Sequence, residues 1–163
     1  MQINFKEKSL TFDAPLSVFD AAAAAEIVTR AHIAARVNGK LVGMTQILDA
    51  DADVELLTFE DADGRWALRH TASHVLAQAI KHLYGDQGVQ LAIGPAIENG
   101  FYYDIDMEKR LTDADLRDIE KEMEKIVKQN IPLVRKEVSR DEAIKMFEEK
   151  GEGYKVQLIK DLP

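Results

Sequence analysis

Arg36-Val37-Asn38-Gly39-Lys40-Leu41-Val42 sets an asparagine–glycine pair between two short runs able to extend. A two-residue type I′ turn needs positive φ at both central positions, which glycine adopts freely and asparagine at little cost. The stretch therefore predicts a tight β-hairpin. Upstream, Gln2 to Phe5 and Leu10 to Phe12 read as an earlier hairpin. Leu16 to Arg30 reads as a helix with Ser17 as N-cap and the strong helix-forming run Ala21 to Ala25 inside it. Downstream, Val54 to Phe59 reads as a closing strand.

Two strands, a helix and further strands within residues 1–59 follow the order of a small β-grasp, ubiquitin-like unit. No residue in that segment suggests catalysis. Glu60-Asp61-Ala62-Asp63-Gly64 is a polar turn and the expected boundary with a second unit, residues 65–163. The fold class expected for the whole is α+β.

Composition narrows the functional classes. With 46% hydrophobic and 31% charged residues the chain can bury a core and is not expected to be disordered. No apolar run is long enough to cross a bilayer, and the start Met1-Gln2-Ile3-Asn4-Phe5-Lys6-Glu7 lacks a secretory signal's apolar stretch. Without cysteine there is neither a disulfide framework nor thiolate metal ligation. A cytoplasmic location is the expectation. The net charge of −8, from 21 basic and 29 acidic residues, argues against broad electrostatic binding of nucleic acid, though not against contact with one RNA end.

The second unit opens with Arg65 to Leu68 and runs into Arg69-His70-Thr71-Ala72-Ser73-His74. At about 100° per residue, His70, His74, Gln78, Lys81 and His82 share one side of a helix, with Ala72, Val75, Leu76, Ala79, Ile80 and Leu83 opposite and Gly85 as stop. Histidines off the apolar stripe belong either to a solvated face or to a cleft wall, and two imidazoles four residues apart point at one spot. Val89 to Ile93 reads as a strand broken by Gly94-Pro95, and Phe101 to Ile105 as another beyond the Asn99-Gly100 turn. Thr112 to Asn130 is a helix with Leu116, Ile119, Met123, Ile126 and Val127 along one stripe. Leu133 to Val138 is a strand candidate, Ser139 with Glu142 caps a helix through about Lys150, and Tyr154 to Ile159 reads as a last strand. The stop at Asp161-Leu162-Pro163 without a closing element reads as a cut inside a larger protein.

Ala92-Ile93-Gly94-Pro95-Ala96-Ile97-Glu98-Asn99-Gly100-Phe101-Tyr102-Tyr103-Asp104 by itself describes no more than a turned, aromatic hairpin. Together with the HxxxH helix and Gly151-Glu152-Gly153-Tyr154-Lys155, in that order, it resembles the N-terminal region of threonyl-tRNA synthetases. The hairpin Val37 to Val42 is similar to that of their TGS domain, and residues from 65 onward resemble the start of their editing domain. The resemblance implies hydrolysis of serine wrongly esterified to threonine tRNA. One methyl discriminates by only about 1–3 kcal/mol in binding, so a second site must remove the error.

The resemblance further implies that His70 and His74 line the editing pocket and position water or the terminal ribose. It implies that Tyr103 contacts the seryl group and that Lys155 supplies charge stabilisation, although the residues alone leave Lys155 equally readable as a solvated surface lysine. The family completes this pocket with a downstream CxxxH element, which this chain lacks, so the chain is expected to be inactive alone; it is also expected to be monomeric. ATP and zinc are implied only for a synthetic core outside this chain, tRNA as the partner of the whole enzyme, and dimerisation through its other domains. No cofactor and no metal are expected here. Two other readings stay open: a zinc-binding alanyl-type editing module, disfavoured because only two of the three or four ligands zinc needs are apparent, and a TGS-based regulatory or RNA-binding module without catalysis.

Overall fold

A computed structural model describes residues 1–163. It is a mixed α+β structure that divides into two compact units, Met1–Arg69 and His70–Pro163.

In the first unit, β1 (Gln2–Asn4) pairs antiparallel with β2 (Ser9–Thr11). β3 (Leu16–Ser17) leads into α1 (Val18–Ala24), where Ser17 Oγ accepts the Asp20 N–H at 3.0 Å as the N-cap. The helix is shorter than the predicted 16–30. Glu26 turns left-handed (φ 60), the Glu26 N–H donates to Ala23 O and the Ile27 N–H to Ala22 O. These two bonds are the Schellman termination, which turns the chain so that Ile27 and Val28 pack against the core.

The predicted hairpin is present as β4 (Ala34–Val37) and β5 (Lys40–Val42) around Asn38 (φ 50) and Gly39 (φ 81). Asn38 is doubly anchored: its N–H donates to Asp53 O, and its side-chain oxygen accepts the Asp53 N–H, both at 2.9 Å. β6 (Ile47–Leu48) pairs with β3, and β7 (Ala52–Leu57) enters the sheet between β1 and β4. The order β2-β1-β7-β4-β5 is antiparallel except for the parallel β1–β7 pair. Side chains alternating along β7 send Ala52 and Val54 into a core shared with Ile3, Phe5, Val18, Ala21, Ala22 and Ala35.

The expected turn at residues 60–64 is shorter, because α2 (Ala62–Tyr84) already contains Asp63 and Gly64. A Cβ on Gly64 would lie 1.9 Å from Thr58 O, so only glycine lets the first helical turn approach the end of β7. α2 runs without a break for 23 residues, and no helix is long and apolar enough to cross a membrane.

In the second unit, Ser73, Ala77, Ala79, Ile80 and Tyr84 of α2 are buried, while Val75, Leu76 and Leu83 are partly so. A 3-10 turn at Gly85–Gln87 follows, then β8 (Gln90–Leu91), β9 (Ala96–Ile97), β10 (Gly100–Phe101) and β11 (Ile105–Asp106). The single strand predicted over 101–105 is thus two, with β10 paired to β9 and β11 to β8. Between them the Tyr103 ring lies against Gly94, where an added Cβ would meet it at 2.1 Å. The Ala92 and Asp104 N–H groups still donate across this gap, to Asp104 O and Ile93 O.

α3 (Asp113–Lys128) has a full capping box from Thr112 and Asp115, and Ile119 and Ile126 enter the core. Leu116 and Val127, predicted on the same stripe, are exposed at its edges. The strand predicted over 133–138 is absent: residues 131–139 are neither helix nor strand, with Leu133 73% and Val134 84% exposed and no neighbouring strand to pair with. α4 (Arg140–Glu149) follows with the predicted Ser139–Glu142 capping box. The last predicted strand, 154–159, is instead helix α5 (Gly153–Lys160). Its first turn forms on Glu152, whose carbonyl accepts the Lys155 and Val156 N–H groups at 3.1 Å, and Val156 is buried.

Candidate functional site

A cleft of about 460 Å³ in the second unit gathers three separated stretches of sequence. α2 contributes His70 and His74; the loop after β8 contributes Ala92 to Pro95, with Tyr103 behind it; Phe147, Lys155, Leu158 and Ile159 close the other side. All four residues singled out from the sequence, His70, His74, Tyr103 and Lys155, line this one space.

The two imidazoles touch. His74 Nε2 lies 3.2 Å from His70 Nε2, with the rings 4.7 Å apart between centroids and nearly perpendicular at 86°. A hydrogen bond between two Nε2 atoms requires one to carry hydrogen and the other to offer a lone pair, so the contact excludes two imidazolium ions. Burial pushes the His74 pKa below its ordinary value, and the neighbouring His70 and the Lys155 ammonium add to the effect. His74 is therefore neutral near pH 7 and able to accept a proton.

Burial raises the pKa of Tyr103, and the Glu152 carboxylate adds to it, so the phenol stays protonated. The Lys155 ammonium lies 5.6 Å from the Phe147 ring centroid and 3.5 Å from Glu152 Oε2, with its side chain 29% exposed. That position is neither free solvent nor a tight ion pair. An ammonium held so loosely keeps donors for a further anionic partner.

Sequence reasoning passed over Glu152 and Phe147. Glu152 lies within the Gly151 to Lys155 motif, where its one sequence signal is an acidic residue between two glycines. Phe147 had no signal beyond helical spacing. No group of three or more His, Cys, Asp or Glu side chains is gathered to hold a metal ion. Two imidazole nitrogens bonded to each other do not match the three or four ligands of a zinc site, so the residues present do not fit that ion.

No family model matches the chain. Among curated proteins it is 48% identical over 165 aligned positions to the threonine–tRNA ligase of Clostridioides difficile (strain 630), covering 100% of this chain and 26% of that protein. It is 52% identical over 157 positions to that of Clostridium kluyveri, covering 96% and 24%. With the Acetivibrio thermocellus enzyme it shares 53% identity over 136 positions, 83% of this chain and 21% of the relative. These relatives are aminoacyl-tRNA synthetases, and the chain is similar to their N-terminal portion. More narrowly, it belongs to the threonine–tRNA ligase family, whose N-terminal portion it matches. The chain spans about a quarter of the length of these curated relatives.

Proposed function

We propose that the chain serves within a threonine–tRNA ligase as its N-terminal portion, with a TGS domain of β-grasp type over residues 1–59 and part of the proofreading domain over 65–163. The cleft would receive the 3′ end of threonine tRNA mischarged with serine. One observation carries this reading: the His70–His74 pair, Tyr103 and Lys155, from three separate stretches of sequence, line a single cleft.

The reaction is hydrolysis of an activated ester. Water oxygen attacks the acyl carbon, the bond to the ribose oxygen breaks, and the proton lost by water ends on that ribose oxygen. The neutral His74, hydrogen-bonded to His70, is suited to hold the water or the ribose hydroxyl and to pass the proton as a pair. Lys155 is suited to offset the negative charge growing on the carbonyl oxygen. Tyr103, pressed against Gly94, narrows the space for the acyl group, as a sieve that admits serine and rejects threonine requires. By resemblance, the remaining pocket groups, ATP and zinc belong to other parts of the ligase, which acts in the cytoplasm. The sheet order β2-β1-β7-β4-β5 with α1 on one face supports the β-grasp assignment.

In the ligase, the double substitution His70→Ala and His74→Ala should leave threonine activation intact while seryl-tRNA deacylation slows by a factor on the order of 10² or more. Unchanged deacylation would remove the histidines from the reaction.

A further inference from the structure

Glu152 is the only charged residue of the chain that is buried, at 8% exposure. A buried carboxylate is costly unless partnered, and its partners here are two lysines. Oε1 lies 3.0 Å from Lys81 Nζ, which also donates to Val89 O at 2.7 Å. Oε2 lies 3.5 Å from Lys155 Nζ and has no hydrogen-bond partner. Lys81 sits seven residues beyond His74 on the same helix, two turns along the same side. Glu152 itself is not among the residues lining the cleft, whereas Lys155 is.

We propose that Glu152 is a positioning residue: fixed by Lys81 of the histidine helix, its carboxylate holds the Lys155 ammonium at the edge of the cleft. The inference rests on the proofreading function proposed above. Charge bookkeeping explains why two lysines are needed. A single carboxylate paired only with Lys155 would neutralise the charge that the growing oxyanion requires. With Lys81 answering Glu152 at the shorter distance, the triad keeps one net positive charge, and the looser contact leaves it with Lys155. Three further contacts limit where the ammonium can go: the Lys155 N–H to Glu152 O, the Phe147 ring, and the left-handed turn at Gly151 (φ 68) that sets the start of α5. The electrostatic influence of Glu152 on Tyr103 and of Lys155 on His74 links the triad to the other cleft residues.

The test is a double-mutant cycle in the full-length ligase, reading single-turnover deacylation of seryl-tRNA, with threonine attachment and thermal midpoint as controls. Glu152→Gln and Lys155→Met should each slow deacylation by a factor on the order of 10², the size of effect expected for a misplaced group. The double variant should be no slower than Lys155→Met alone, because a positioning residue has nothing left to position. If the two losses multiply, or Glu152→Gln stays within about twofold of the unsubstituted ligase, the positioning role is overturned. Where Glu152→Gln fails to fold, Glu152→Asp, which keeps the charge but withdraws it from Lys155, carries the same cycle. If Lys155→Met and the histidine double variant also leave deacylation unchanged, the proofreading reading falls with the inference. If those slow it and Glu152→Gln does not, only the inference falls.

Discussion

The first unit uses its charged groups to staple its own surface, and the second holds several of them around an opening. In the first, Arg36 pairs with Glu55 and Asp63 at 2.6 and 2.7 Å, and the interior is apolar, built from Ile3, Phe5, Val18, Val54 and several alanines. In the second, a carboxylate is buried, two imidazoles share one hydrogen bond, and an ammonium rests at 3.5 Å from its counter-ion. Closed pairs leave no donor or acceptor to a ligand. Incompletely satisfied ones do, and they cost stability to maintain. Chemistry is therefore expected where the polar groups are less well matched.

Substitutions can break this contrast from either side. The largest expected effect is Ile3→Ala, which empties a fully buried position in the first unit and should cost about 2–5 kcal/mol by chemical denaturation. Under conditions where the variant stays folded, seryl-tRNA deacylation by the ligase should not change; a matching loss of deacylation would show that the first unit shares in the chemistry. Next is Gly94→Ala, whose methyl would enter the space of the Tyr103 ring. A clash of this kind costs about 1–3 kcal/mol, and because the displaced ring lines the cleft, deacylation should fall even in molecules that remain folded.

The smallest effect is that of pH. The His74 pKa in the folded state lies below its unfolded value of about 6.5. Its contribution is thus fully present above about pH 6.5 and is lost as pH falls through the lower folded value. Imidazole NMR should show His74 titrating below 6.5, and His74→Gln should flatten the part of the stability–pH curve just beneath that point.

Elements with local chemical signals were readable from the sequence. Asn38-Gly39 specifies its turn, and Ser17, Thr112 and Ser139 each cap the predicted helix start. Elements defined by partners were not. Leu133 to Val138 has the residues of a strand but no strand beside it, and Tyr154 to Ile159, equally rich in strand formers, lies in a helix whose first turn bonds to the Glu152 carbonyl. The end of α1 was missed because a glutamate, not a glycine, takes the left-handed position. For the site, helical spacing singled out His70 and His74, while Tyr103 and Lys155 came only from the family resemblance. The buried ion triad behind them depends on a contact between residues 81 and 152 that no local pattern reveals.

The unpaired stretch 131–139 has one more consequence. Proteases bind substrates as extended chain with free backbone groups, and loops that open at little cost are cut first. Between the capped helices α3 and α4 lies a loop without helix or strand, exposed from Ile131 to Glu137 and carrying Arg135 and Lys136 at its middle. The chain therefore presents an enzyme of trypsin-like specificity with a ready site for limited cleavage, outside every contact that builds the cleft.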